Sequence, residues 1–134
     1  LDNFKSINDT FGHAVGDAAL KQVARALEIE LRKTDFIGRM GGEEFAIVMT
    51  DTTEAEARAI AERLRQKVEL RARVIEGNQV NLTISIGATC SYKHNSSGFQ
   101  ALLKLADDAL FEAKRRGRNQ IVFDYTKSDA KSIG

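Results

Sequence analysis

The stretch Arg39-Met40-Gly41-Gly42-Glu43-Glu44-Phe45-Ala46-Ile47-Val48 sets two glycines and two carboxylates directly ahead of a short apolar run. Glycine turns where a side chain would clash, and it lets a ligand approach the backbone closely. Phe36-Ile37-Gly38-Arg39 reads as a strand entering the turn, and Phe45-Ala46-Ile47-Val48-Met49 as a buried strand leaving it. A hairpin tip with two adjacent acids can hold a hard, oxygen-preferring cation such as magnesium. Taken alone, the same tip also suits an ordinary solvated turn.

The composition supports one globular unit. A chain of 134 residues is long enough to bury a core, and 43% apolar with 29% charged residues is ordinary for a water-facing protein. A formal charge of +1 gives no general attraction to nucleic acid or to a membrane surface. The single cysteine, Cys90, excludes an internal disulfide, in keeping with a reducing, cytoplasmic setting. No apolar run approaches the roughly 18–20 residues of a membrane span, and no signal peptide is visible. The chain starts at Leu1 rather than Met and is expected to be part of something longer.

Outward from the hairpin, periodicity places the other elements. Phe4, Ile7 and Phe11 predict one or two helical turns ending at Gly12. Residues 14–31 read as an amphipathic helix burying Leu20, Val23, Ala24, Leu27 and Leu31, with Asp17 in its first turn. Thr53 and Glu56 form a capping box for a helix running to about Leu70, which buries Ala57, Ile60, Ala61, Leu64 and Val68. After the Gly77-Asn78 turn, Val80, Leu82, Ile84, Ile86 and Ala88 alternate as one long strand. Ser97 and Gln100 predict a cap for a helix from Phe99 to about Arg115, with Phe99, Leu102, Leu103, Ala106, Leu110 and Ala113 inward and Gly117 closing it. Ile121-Val122-Phe123 is a last strand. A domain at 1–125 and a flexible tail at 126–134 follow from these limits. Helices between antiparallel strands predict an α+β fold with one sheet and packed helices.

Several polar residues stand out against this frame. An ionised Asp accepts but does not donate. It therefore suits the two Watson–Crick donors of guanine and mismatches adenine, and an Asn adds one donor and one acceptor. Asn8 and Asp17 can supply that pair, or they can be a local cap and a dipole-favoured acid. Lys114 and Arg118, four apart at a helix end, suit a triphosphate tail or simply the helix C-terminus. Arg32 and Asp35 form an Arg-x-x-Asp pair, either a fork for guanine or phosphate or a surface ion pair. His13 reads as a structural hydrogen-bonding residue and Cys90 as a small core residue.

Four segments in order over about residues 1–124 resemble the GGDEF family, the diguanylate cyclases. They are Asp2-Asn3-Phe4-Lys5-Ser6-Ile7-Asn8-Asp9-Thr10-Phe11-Gly12-His13 with Gly16-Asp17, then Gly41-Gly42-Glu43-Glu44-Phe45, then Ser85-Ile86-Gly87, then Ala106 to Lys114 with Gly117-Arg118-Asn119. The resemblance implies a fold similar to the palm of nucleotidyl cyclases and polymerases, a mostly antiparallel sheet flanked by helices. It implies condensation of two GTP into cyclic di-GMP with release of pyrophosphate, in a homodimer whose domains each hold one GTP. Mg2+ or Mn2+ is the implied cofactor, with Glu43, Glu44 and the Leu1 carbonyl as its ligands and one glutamate helping to deprotonate the attacking hydroxyl. Asn8 and Asp17 would read guanine. Backbone amides of Asn3, Phe4 and Lys5, with Lys114 and Arg118, would hold the phosphates. Arg32 and Asp35, completed by Arg63, would bind cyclic di-GMP as an inhibitor. A sensor or receiver domain outside this chain would drive it, with no nucleic-acid partner and no direct membrane contact.

Strand geometry sets one condition on that assignment. Adjacent strand residues point to opposite faces, so both glutamates reach one metal only if Glu43 still belongs to the turn. Two departures from the family pattern stand out. Phe111 replaces a tyrosine, and the family's metal-binding Asp and central strand, expected just ahead of Leu1, are not in this sequence. The polypeptide of residues 1–134 is therefore expected to be weak or inactive alone. The competing expectations are an inactive GGDEF module that binds GTP or cyclic di-GMP, and a palm-type cyclase acting on ATP.

Overall fold

The computed structural model describes residues 1–91 and 98–124 of the chain. The elements are α1 (Phe4–Phe11), α2 (His13–Glu30), β1 (Phe36–Gly41), β2 (Glu44–Val48), α3 (Glu54–Arg71), β3 (Val74–Ile75), β4 (Asn78–Gln79), β5 (Ile86–Ala88), α4 (Phe99–Arg115) and β6 (Ile121–Phe123). They fall into two compact units, Leu1–Ile84 and Ser85 onward. Mixed helix and strand agree with the α+β expectation. The single sheet does not hold among the described residues, where the strands form three separate pairs. β1–β2 and β3–β4 are antiparallel, and β5–β6 is parallel.

In the first unit, α2 packs against α1 and α3. Its inward face is Val15, Gly16, Ala19, Leu20, Val23, Ala26 and Leu27, the 3.6-residue stripe expected of a helix with one buried side. Ala61, Leu64 and Val68 of α3, with Ile75, Leu82 and Ile84, belong to the same unit's buried core. Burying a Leu or Val this fully stabilises by about 1.5–3 kcal/mol before entropy is counted. Thr53 caps α3 as expected, its hydroxyl oxygen accepting from the Glu56 amide at 3.2 Å. Gln22 of α2 donates to the Arg71 carbonyl at 2.5 Å, satisfying one acceptor at the end of α3.

The long strand predicted over 80–88 is only partly formed. Leu82 and Ile84 are buried and Asn81 is exposed, so the alternation survives in burial. The ladder is confined to Ile86–Ala88, because Asn81 takes φ 54° and residues 80–85 pair with no strand among the described residues. The run after the glycine turn is also less buried than expected. Ile37, Phe45 and Ile47 share a half-buried face, while Phe36 and Val48, opposite each other in the register, are exposed. A two-stranded ribbon has two faces to cover, and here neither is fully covered.

In the second unit α4 lies on β5 and β6, with Ala109, Ala113 and Val122 at the centre. Gly87 permits the approach: a Cβ there would stand 2.1 Å from the Leu110 nitrogen and 2.2 Å from the Ala106 carbonyl oxygen. The inward face of α4 is rotated from the predicted one. Ala109, Glu112 and Ala113 are buried, Leu102, Leu103, Ala106 and Leu110 are half-buried, and Phe99 is exposed. The small residues face the strands because only they fit the short helix–strand distance that Gly87 sets. The N-cap of α4 is Gly98; the predicted cap Ser97 lies outside the described residues, as does the tail at 126–134.

Candidate functional site

The hairpin tip meets the condition set by the sequence. β1 and β2 pair from Phe36↔Val48 to Gly41↔Glu44, with Met40 as the extra residue of a bulge. Gly41 takes φ 138° and Gly42 φ 54°, which side chains other than glycine's rarely tolerate. Glu43 stays in the turn and Glu44 begins β2, so the two carboxylates are not bound by strand alternation. The Arg39 Nε donates to the Gly42 carbonyl at 2.8 Å and steadies the turn. The nitrogen of Leu1 donates to the Glu43 carbonyl at 3.1 Å, which brings the Leu1 backbone to the tip.

This donor set can be tested for a divalent cation. Among the described residues no three His, Cys, Asp or Glu side chains form a ready cluster. Two carboxylates and the carbonyl of Leu1, a residue whose nitrogen is bonded at the tip, are nevertheless all hard oxygen donors of the kind magnesium selects, so the residues fit such an ion. Asp2 contributes no tip acid: it is 3% exposed and its Oδ2 accepts from the Thr83 hydroxyl at 2.8 Å.

Asn8 packs on Gly16, the residue directly before Asp17. A Cβ at Gly16 would lie 1.8 Å from Asn8 Oδ1, so the carboxamide rests on the glycine next to Asp17. Asp17 itself is exposed. Its expected place in the first turn is corrected, since α2 begins at His13 and Asp17 sits in the second turn, beyond the strongest part of the helix dipole. The reading of Asn8 as a cap is also corrected: it lies inside α1, whose N-cap is Asn3 at φ 56°. Among the described residues no side chain makes a capping hydrogen bond at Asn3, so the first amides of α1 lack that acceptor.

Arg32 and Asp35 do form the expected pair. The guanidinium grips the carboxylate through Nε at 3.1 Å and Nη2 at 2.9 Å, and the Arg32 amide adds a bond at 2.8 Å. These hydrogen bonds lower the Asp35 pKa and raise that of Arg32. Nη2 also donates to Thr52 Oγ1 at 2.5 Å, tying the end of α2 to the segment before α3. Arg63 of α3 pairs with Glu30 at 2.9 Å, two residues ahead of Arg32.

Lys114 and Arg118 do not share a helix face. Lys114 is in the last turn of α4, whereas Arg118 follows Gly117 at φ 115° and itself takes φ 64°. The Arg118 amide donates to Ala113 O at 3.0 Å and the Gly117 amide to Lys114 O at 3.3 Å, the paired bonds of a Schellman cap. Gln120 Nε2 donates to the carbonyls of Arg116 at 3.1 Å and Arg118 at 3.0 Å. Below this turn Glu112, 1% exposed, accepts from both Arg115 and Arg116. The bond from Arg115, with that from Arg116, outweighs burial and holds its pKa down to about 2. Glu112 lies inside the fourth family segment, but no spacing marks it as a buried residue, and it is absent from the inward face predicted for α4. Gly16 was detectable as a glycine inside a strong helix pattern, a residue that costs helix stability unless something needs the space.

Comparison with known proteins decides the family. The model of the diguanylate cyclase GGDEF domain matches residues 1–120. This chain belongs to the GGDEF family. Diguanylate cyclase A of Treponema denticola is 41% identical over 121 residues, which cover 90% of this chain and 32% of that protein. The structure of the active GGEEF domain of a diguanylate cyclase from Vibrio cholerae superposes with a TM-score of 0.83 at 32% identity, covering 94% of this chain and 79% of that one. The GGDEF domain of DgcB from Caulobacter crescentus, solved in complex with c-di-GMP, gives 0.81 at 28% identity, covering 92% and 72%. The chain thus spans about a third of the length of the curated relative, and as a GGDEF domain it carries its signature at Gly41-Gly42-Glu43-Glu44-Phe45.

Proposed function

We propose that this GGDEF domain is the catalytic part of a diguanylate cyclase that joins two GTP into cyclic di-GMP and releases pyrophosphate. The observation that carries the proposal is the tip itself, with Glu43 in the turn, Glu44 at the strand start and the Leu1 backbone bonded to Glu43. Glu43, Glu44 and the Leu1 carbonyl would hold Mg2+ or Mn2+. When bound, such an ion supplies positive charge against the negative charge that develops on the phosphoryl oxygens.

The chain's own groups then have distinct tasks. Asn8 and Asp17 read the guanine edge, Asp17 accepting from its donors; adenine, whose N1 is an acceptor, leaves Asp17 unpaired. The amides of Asn3, Phe4 and Lys5 at the start of α1, with Lys114 and Arg118, hold the β- and γ-phosphates. One glutamate of the tip takes the proton from the 3′-hydroxyl of the other GTP. The oxygen attacks the α-phosphorus in line, the bond to the bridging oxygen breaks, and pyrophosphate leaves. Each domain holds one GTP, so two must face each other in a homodimer. A second such transfer closes the ring.

Arg32, Asp35 and Arg63 form the product-inhibition site in this proposal. The Arg32 fork already meets Asp35, so a guanine must share it. The c-di-GMP complex of the DgcB domain supports a product-binding role. A cytoplasmic location fits the GTP substrate, and an input domain elsewhere in the protein would control pairing. Among the described residues no helix is long and apolar enough to cross a membrane.

Radiolabelled GTP turnover by the protein carrying this chain tests the proposal. Formation of labelled cyclic di-GMP that requires Mg2+, with no cyclic product from ATP, is the expected result. Equal handling of ATP, or tight GTP binding without any product in the paired state, contradicts it.

A further inference from the structure

We infer that Thr83 is a positioning residue for the acid tip, acting through Asp2 and Leu1; the inference rests on the proposed role of Glu43, Glu44 and the Leu1 carbonyl as metal donors. Asp2 is a carboxylate at 3% exposure, and a buried carboxylate is tolerated only when it is hydrogen-bonded. Thr83 supplies two bonds from 81 residues away. Its hydroxyl donates to Asp2 Oδ2 at 2.8 Å, and its carbonyl accepts from the Asp2 amide at 2.9 Å. Thr83 is itself anchored between Leu82 and Ile84, which are 1% and 6% exposed.

Asp2 stands between two functional segments. On one side Leu1 donates to the Glu43 carbonyl at 3.1 Å. On the other, Asn3 takes the left-handed conformation that starts α1, whose first amides are the proposed phosphate donors. A continuous path therefore runs from the core at Thr83, through Asp2, to the Leu1 backbone and the turn carrying Glu43. The part of Thr83 that matters is its hydroxyl, because a carbonyl is present at every residue. Without that hydroxyl, Asp2 loses a charge-assisted bond in a buried place and is driven to seek water. The Leu1 backbone, bonded to the tip through its nitrogen, then loses its anchor on the core side.

The test compares Thr83→Val, which keeps the shape but removes the hydroxyl, with Thr83→Ser, which restores it, in the full chain. The probes are Mn2+ alone and GTP, followed by calorimetry, with amide hydrogen exchange at residues 2–5 as a readout independent of turnover. Val68→Ala in the α3 core serves as a stability control. The expected result is about tenfold or more weaker Mn2+ binding and faster exchange at 2–5 in Thr83→Val, with wild-type behaviour in Thr83→Ser. Val68→Ala should lower stability with Mn2+ affinity unchanged. Should Thr83→Val fail to fold, Thr83→Ala carries the same expectation. Wild-type Mn2+ affinity in a folded variant without the hydroxyl overturns this inference alone. Absence of both Mn2+ and GTP binding in the wild type overturns the proposed function and this inference with it.

Discussion

The hairpin tip at Gly41–Glu44 and the turn that ends α4 at Arg116–Asn119 solve one problem in two ways. Each uses glycine at positive φ to present charged groups, acids at the tip and cations at the turn. The tip belongs to a two-stranded ribbon whose faces are half-covered, and among the bonds that steady it are those from Arg39 and Leu1. The turn stands on a buried carboxylate, a Schellman cap and the two bonds of Gln120. The contrast is that a turn bearing cations can be fixed locally by its own helix. The acid tip takes part of its position from a distant anchor and so can respond to what binds it.

The largest effect that separates the regions is expected at the tip. Glu43→Gln and Glu44→Gln should each lower GTP turnover about a hundredfold or more while leaving Tm close to wild type, because the ribbon buries little there. Turnover at saturating GTP, beside a melting curve, checks this. The reverse pattern belongs to the second unit. Gly87→Ala sets a Cβ 2.1 Å from backbone, so α4 has to move off β5, at a cost of about 3 kcal/mol in urea unfolding.

A pH experiment sharpens the contrast. Glu112 has its pKa lowered from 4.5 to about 2 by its arginine partners. As pH falls, the unfolded chain binds the proton first, so the stability Glu112 contributes is whole above about pH 4.5 and is lost toward pH 2. Urea unfolding of wild type and Glu112→Gln should therefore differ most above pH 4.5 and converge as pH approaches 2. The smallest effect is expected from Gln120→Ala. Loss of its two bonds should raise the KM for GTP about threefold with kcat nearly unchanged, as loosening of Arg118 affects binding more than chemistry.

Much of this architecture is legible in the sequence where the signal is local. The glycine turn, the Thr53 cap and the stripes of α2 and α3 follow from spacing within a few residues. The family motifs name the hairpin acids, Asn8 and Asp17 directly. What failed to show is non-local. The alternation at 80–88 fixes which side chains are inward but not whether a partner strand is present to form a ladder. The inward face of α4 is set by Gly87 on another strand, and the Asp2–Thr83 pair spans 81 residues. The first turn of α2 lies one residue earlier than its pattern predicts, because Gly12, which ends one helix, also stands as the N-cap of the next.

The most direct measurement is a crystal structure of the protein with GTP and Mg2+. The expected result is a cation about 2.1 Å from a Glu43 oxygen and from the Leu1 carbonyl, with the guanine edge against Asn8 and Asp17. A cation bound away from the tip, or a base seated away from Asp17, would contradict it.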